Sequence, residues 1–181
     1  GGTWSDEDAA VPVSSKDPVW GNRTAPVTLV LFSDFQCPFC SKVETTITQL
    51  KEKYGPDKLR VVWKSNPLPF HPNARPASLA AETVFRLGCY KALWKFHDLA
   101  FQNQEKLDAE NLAKYAKDSG ADVAKFNECV KAGKFKDFVQ KDMDYGEKLG
   151  VRSTPTFFIN GQLVSGAVPI EQFSEIIDEE L

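Results

Sequence analysis

The spacing of apolar positions changes several times along the chain, and each change marks an element. Val27-Thr28-Leu29-Val30-Leu31-Phe32 is nearly continuous and rich in β-branched residues, the pattern of a central strand buried on both faces. After it, Cys40, Val43, Ile47, Leu50 and Tyr54 step by three and four, which is one face of a helix. Pro38 suits the first helical position, where its missing N–H is harmless, and Gly55-Pro56 stops the helix. Leu59 to Trp63 reads as a second strand. Residues 27–63 therefore predict a strand–helix–strand unit with a right-handed parallel crossover.

Pro67, Pro69, Pro72 and Pro76 exclude a single regular element over residues 64–76. From about 74 to 149 the pattern is helical. Leu79, Ala80, Val84 and Leu87 give one stripe that Gly88 ends, and Cys89, Leu93, Phe96 and Ala100 give another. Asp108 and Asp122 suit the caps of two further helices, one through Leu112 and Tyr115, the other through Phe126 and Cys129. Phe135, Phe138 and Val139 begin a last helix that stops at Gly150. Thr156 to Ile159 and Gln162 to Ser165 flank Asn160-Gly161, a strong hairpin signal, and Pro169 to Leu181 closes as a helix. Residues 1–18 read as a loose polar arm with at most a short edge strand around Val11–Val13. The expected order is β-α-β, helical block, β-β-α. This is an α/β fold with a mixed central sheet, its α/β domain built from residues 19–72 and 150–181, with residues 73–149 as an inserted helical domain.

Composition narrows the classes. The 181 residues are 42% hydrophobic and 26% charged, ordinary for a soluble globular protein. Twenty-two basic against 25 acidic side chains give a net charge of −3, which disfavours a nucleic-acid partner. No apolar run approaches the roughly 18 residues of a membrane span. The N-terminus shows no basic segment followed by an apolar core.

Four cysteines are too few for a disulfide-stapled scaffold, and they fall into two sets. Cys37-Pro38-Phe39-Cys40 sits where a buried strand meets a helix start. Two intervening residues bring both sulfurs onto the first turn, where a bond can close and open. Cys37 falls at the cap position, facing free backbone N–H groups and the positive end of the helix dipole. Both favour the thiolate, so its pKa is expected below the ordinary value of about 8.5. Cys40, one turn in on the apolar stripe, is the less exposed, resolving partner. This reading requires the Cys37 sulfur to be reachable. The competing readings are a zinc site or a structural clip. Zinc usually takes a second ligand pair at comparable spacing, and Cys89, Cys129, His71 and His97 supply none. Thr154-Pro155 precedes the strand at 156, where proline is tolerated. Held cis, it would leave neighbouring backbone groups for an extended substrate to pair with.

Three runs carry a family resemblance. They are Phe32-Ser33-Asp34-Phe35-Gln36-Cys37-Pro38-Phe39-Cys40, the helical block around Trp94-Lys95-Phe96-His97-Asp98, and Val151-Arg152-Ser153-Thr154-Pro155-Thr156-Phe157-Phe158-Ile159-Asn160-Gly161. Together the chain resembles the DsbA family of thiol-disulfide oxidoreductases, over roughly residues 20–181. The resemblance implies a thioredoxin-like fold with a helical insertion. It implies Cys37 as nucleophile, Cys40 as resolving thiol, Pro38 and Phe39 as tuning residues, and Thr154 with cis-Pro155 as substrate-binding positions. It implies cysteine-containing exported polypeptides as substrates, a periplasmic or other extracytoplasmic site, a membrane quinone-linked or other redox partner, and no cofactor or metal. The chain departs from the family in three places. The dipeptide is Pro-Phe rather than Pro-His, Leu31 stands where many thioredoxin folds carry a buried acid, and Thr154 rather than valine precedes the proline. A dithiol oxidase is the first reading. An isomerase or reductase, or a non-catalytic Cu(I)-binding module of the same fold, are the alternatives.

Cys89 and Cys129 read either as a structural disulfide, preferred in an oxidising compartment, or as two buried thiols. His71 and Lys64 read first as exposed, solvated side chains; the alternatives are a place near the dithiol for His71, since clefts form beyond strand C-termini, and an electrostatic influence on Cys37 for Lys64. Phe35, Phe39, Trp63 and Phe70 are candidates for an apolar peptide groove.

Overall fold

The computed structural model describes residues 4–7 and 9–181, with the side chain of Cys89 left out. Strands β1 (Ser5–Asp6) and β2 (Val13–Ser14) form an antiparallel pair. They are followed by β3 (Val19–Trp20), β4 (Val27–Ser33), α1 (Pro38–Tyr54) and β5 (Leu59–Ser65). Four helices come next: α2 (Ala74–Gln102), α3 (Ala109–Asp118), α4 (Val123–Ala132) and α5 (Lys136–Lys148). The chain ends with β6 (Thr156–Ile159), β7 (Gln162–Ser165) and α6 (Ile170–Glu180). The five main strands lie in the order β3-β5-β4-β6-β7. The sheet is mixed. β3/β5, β4/β6 and β6/β7 run antiparallel, and β5 beside β4, joined through α1, is its parallel pair.

Two compact units result. The first is Gly1–Ser33, Pro38–Lys64 and Ser153–Leu181. Its core uses both faces of the central strand, as expected: Val27, Leu29, Leu31 and Phe32 of β4 are buried, as are Leu59, Val62, Phe157, Ile159 and, on α6, Phe173 and Ile177. Helices α1 and α6 meet through Tyr54, whose hydroxyl donates to Asp178 Oδ1 at 2.8 Å. The Asn160-Gly161 turn takes positive φ at both residues (45° and 88°), as a two-residue hairpin requires. The second unit is Asp34–Cys37 with Ser65–Arg152. There α3, α4 and α5 each pack on α2. Asp122 caps α4 through the Lys125 N–H, and Gly133 ends that helix in the left-handed region.

Two sequence expectations fail. Gly88 does not end a helix, because α2 runs through it for 29 residues. Glycine weakens a helix interior by about 1 kcal/mol relative to alanine but removes no hydrogen bond. The N-terminal segment is also less loose than its composition suggests. Of the expected arm, residues 1–3 and 8 lie outside the described residues. Within the rest, Ser5–Asp6 pairs with Val13–Ser14, Val11 and Val13 are buried, and Asp6 is held by Arg60. The Arg60 guanidinium donates to Asp6 Oδ2 at 2.6 Å, Thr28 Oγ1 at 2.7 Å and the Arg23 carbonyl at 2.9 Å.

Candidate active site

Four residues, Asp34 to Cys37, join β4 to α1, and the second unit holds them by four means. The ring of Phe35 sits among Phe96, His97 and Phe101 of α2, at centroid distances of 6.1, 6.1 and 5.0 Å. The buried Asp34 carboxylate accepts from the Gln36 N–H at 2.8 Å and the Leu68 N–H at 3.0 Å. Its Oδ2 also lies 2.7 Å from His71 Nδ1. Gln36 Oε1 accepts from the Asn73 N–H just ahead of α2, at 2.9 Å. Gln104, beyond the far end of α2, donates to the carbonyls of Phe35 and Cys37.

Cys37 is therefore the last residue of a clamped turn. Its N–H donates to the Asp34 carbonyl at 3.1 Å, and Pro38 opens α1 at the next position. This is the cap placement expected from the sequence. The first turn of α1 carries no acidic side chain to offset the dipole, and Lys51 and Lys53 lie in the last turn. Cys40 is the third residue of the helix, on the buried stripe with Val43, Ile47 and Leu50. Cys37 retains 4% of its surface and Cys40 none. Cys40 is the more enclosed of the two, as expected, but Cys37 is itself buried, whereas the sequence reading required a reachable sulfur. Its N–H is bonded within the turn, and its carbonyl accepts from the Gln104 side chain.

At the other end of the site's sequence signal, the Thr154–Pro155 peptide bond is cis. Thr154 and Pro155 are both buried. The register that sets Phe32 opposite Thr156 puts this bond level with the C-terminal end of β4. The Pro155 carbonyl accepts from the Gly166 N–H at 2.9 Å, so that backbone group is already engaged.

A thioredoxin family profile matches residues 14–179. The chain belongs to the thioredoxin family. Among solved structures, this thioredoxin-family chain is similar to BdbD from Bacillus subtilis in its oxidised form, with 26% identity, a TM-score of 0.82, and 91% of this chain and 92% of that one covered. It is also similar to the thiol-disulfide exchange protein α-DsbA2 from Wolbachia pipientis, with 25% identity, a TM-score of 0.80, and 90% and 86% covered. Its structural neighbours are thus thiol-disulfide oxidoreductases. Among curated proteins it is 36% identical over 172 residues to the Na(+)/H(+) antiporter NhaA 3 of Salinispora tropica, covering 94% of this chain and 26% of that protein. The chain spans about a quarter of the length of the curated relatives it matches.

Other candidates move. Phe35 and Trp63 are core residues, whereas Phe39 and Phe70 are 62% and 73% exposed, so the four do not share one apolar lining. Lys64 is not solvated. It is buried, and its ammonium lies 2.6 Å from Asp17 Oδ1. His71 is anchored to Asp34 rather than loose in its loop. Cys129 is buried on α4, but the side chain of Cys89 is outside the described residues, and with it the expected Cys89–Cys129 bond. Among the described residues, no three His, Cys, Asp or Glu side chains gather as a metal site would need. The sequence reading passed over Asp34 and Gln104 as working residues. Asp34 had one available signal, an acid placed three residues before the first cysteine.

Proposed function

We propose that this chain is a thiol-disulfide oxidoreductase working through Cys37 and Cys40, running chiefly as a dithiol oxidase on cysteine-containing exported polypeptides in an extracytoplasmic compartment. The observation that carries the reading is the placement of Cys37 directly ahead of the first residue of α1 with Cys40 as the third helical residue, both buried and Cys40 the more so. A substrate thiolate attacks the Cys37 sulfur of the Cys37–Cys40 disulfide. The S–S bond breaks, a mixed disulfide forms, and Cys40 leaves as thiolate and takes a proton. A second substrate thiolate attacks the substrate sulfur of the mixed disulfide and releases Cys37 as thiolate. The substrate loses two electrons and the enzyme gains them. A membrane quinone-linked or other redox partner takes them away in turn.

The N-terminus of α1, with no acidic side chain in its first turn, supports this direction, because stabilising the Cys37 thiolate favours the reduced enzyme and makes its disulfide the better oxidant. Pro38 and Phe39 set the balance, and the exposed ring of Phe39 offers an apolar contact to a substrate. Thr154 and Pro155 are the proposed substrate-binding positions. Threonine at 154 keeps an isomerase or reductase as the second reading. The transport named in the antiporter relatives is not part of the proposal. Among the described residues no helix is long and apolar enough to cross a membrane.

The test sets peptide-dithiol oxidation beside insulin reduction, with anaerobic Cu(I) titration as a control. Stoichiometric oxidation of a peptide dithiol supports the oxidase, and preferential insulin reduction supports the second reading. Tight metal binding without thiol exchange contradicts both.

A further inference from the structure

Asp34 lies three residues before Cys37, with its carboxylate wholly buried. A buried carboxylate is costly unless its oxygens are satisfied. Here one oxygen accepts from the Gln36 N–H, while the other accepts from the Leu68 N–H and faces His71 Nδ1 at 2.7 Å. The carbonyl of the same residue accepts the Cys37 N–H. One side chain thus ties the turn that presents the nucleophile to the proline-rich loop after β5. A turn of this kind needs only a short acceptor, and asparagine supplies one. What asparagine does not supply is a charge, and the imidazole placed against that charge is 18% exposed.

We propose that Asp34 and His71 are a positioning pair for the redox centre. Asp34 fixes the turn that delivers Cys37, and its charge, offset by the Nδ1–H of His71, sets the field in which the Cys37 sulfur ionises. The inference rests on the thiol-disulfide reading above. Titratable groups near this turn include Cys37 itself and, through the ring of Phe35, His97, which lies 2.9 Å from Asp98. The two members of the pair act with opposite sign. Asp34→Asn keeps an acceptor and removes the charge, so the thiolate forms more readily. His71→Phe leaves the carboxylate without its imidazole donor, so the thiolate forms less readily.

The experiment is a pH titration of thiolate absorbance together with the glutathione equilibrium, on the whole chain and both variants, with folding checked by circular dichroism. The expected result is a midpoint lowered by about half a pH unit in Asp34→Asn and raised by about as much in His71→Phe, with the glutathione equilibrium moving roughly threefold in opposite directions. If the unsubstituted chain exchanges with glutathione but both folded variants match it, or move the same way, the pair is overturned and the proposed function stands. If Asp34→Asn does not fold, His71→Phe decides alone, and an unchanged or lowered midpoint overturns the pair. If the unsubstituted chain does not exchange at all, both the function and this inference fail.

Discussion

The side-chain amide of Gln104 donates to the carbonyl of Cys37 at 3.0 Å and to that of Phe35 at 2.8 Å. One residue beyond α2 therefore binds both ends of the three-residue stretch that presents the nucleophile. Replacing it with alanine leaves two carbonyls short of a donor. Gln104→Ala is expected to cost about 2 kcal/mol in urea denaturation. Gln104→Glu, which sets a carboxylate against the same carbonyls, is expected to cost more.

The two thiols differ in access. In the reduced, folded protein an alkylating reagent is expected to modify Cys37 and spare Cys40, as peptide mapping by mass spectrometry would show, because only Cys37 retains any surface. Modification of neither thiol without denaturant would mean that the enclosure of Cys37 is complete and that the proposed exchange has no entry.

Much of the fold was legible in the sequence, and the reason is local. β4, α1, β5 and the Asn160-Gly161 hairpin each carry their own periodicity or turn chemistry within a dozen or so residues. So does the dithiol at the strand–helix junction. The clamp around Cys37 is different. Asp34 meets Leu68 and His71, and Gln104 meets Phe35 and Cys37, across separations of 34 to 69 residues. A single glutamine or aspartate has no period that announces such a partner. Gly88 and Lys64 misled for the opposite reason, since tertiary packing overrode what glycine and lysine usually do alone.

Lys64 and Asp17 form a largely buried ion pair. Removing one partner of such a pair costs more than the pair contributes, because the remaining charge stays desolvated. Asp17→Ala, which takes away the acceptor of both the Lys64 ammonium and the Ser14 N–H, is expected to destabilise the protein measurably in urea denaturation. Lys64→Met in the Asp17→Ala background should recover a measurable part of that loss.

Tyr115 is held above its ordinary phenol pKa, first by burial and then by the charge of Asp108. The folded state thus favours the neutral phenol, whose hydroxyl donates to the Lys106 carbonyl at 2.8 Å. The contribution to stability is complete below the unfolded pKa of about 10 and is lost as pH rises through the folded value. Phenolate absorbance should show a late-titrating step, and Tyr115→Phe should remove it together with the matching alkaline loss of stability.

The most direct test of the central claim is the redox titration of the chain in glutathione buffers, followed by mass spectrometry and repeated with Cys40→Ser. The account predicts a two-electron transition with a Cys37–Cys40 bond in the oxidised form, and in Cys40→Ser a mixed disulfide with glutathione that accumulates on Cys37. A chain that forms no internal disulfide across the titration, or one in which glutathione collects on Cys129 while Cys37 stays unmodified, would contradict it.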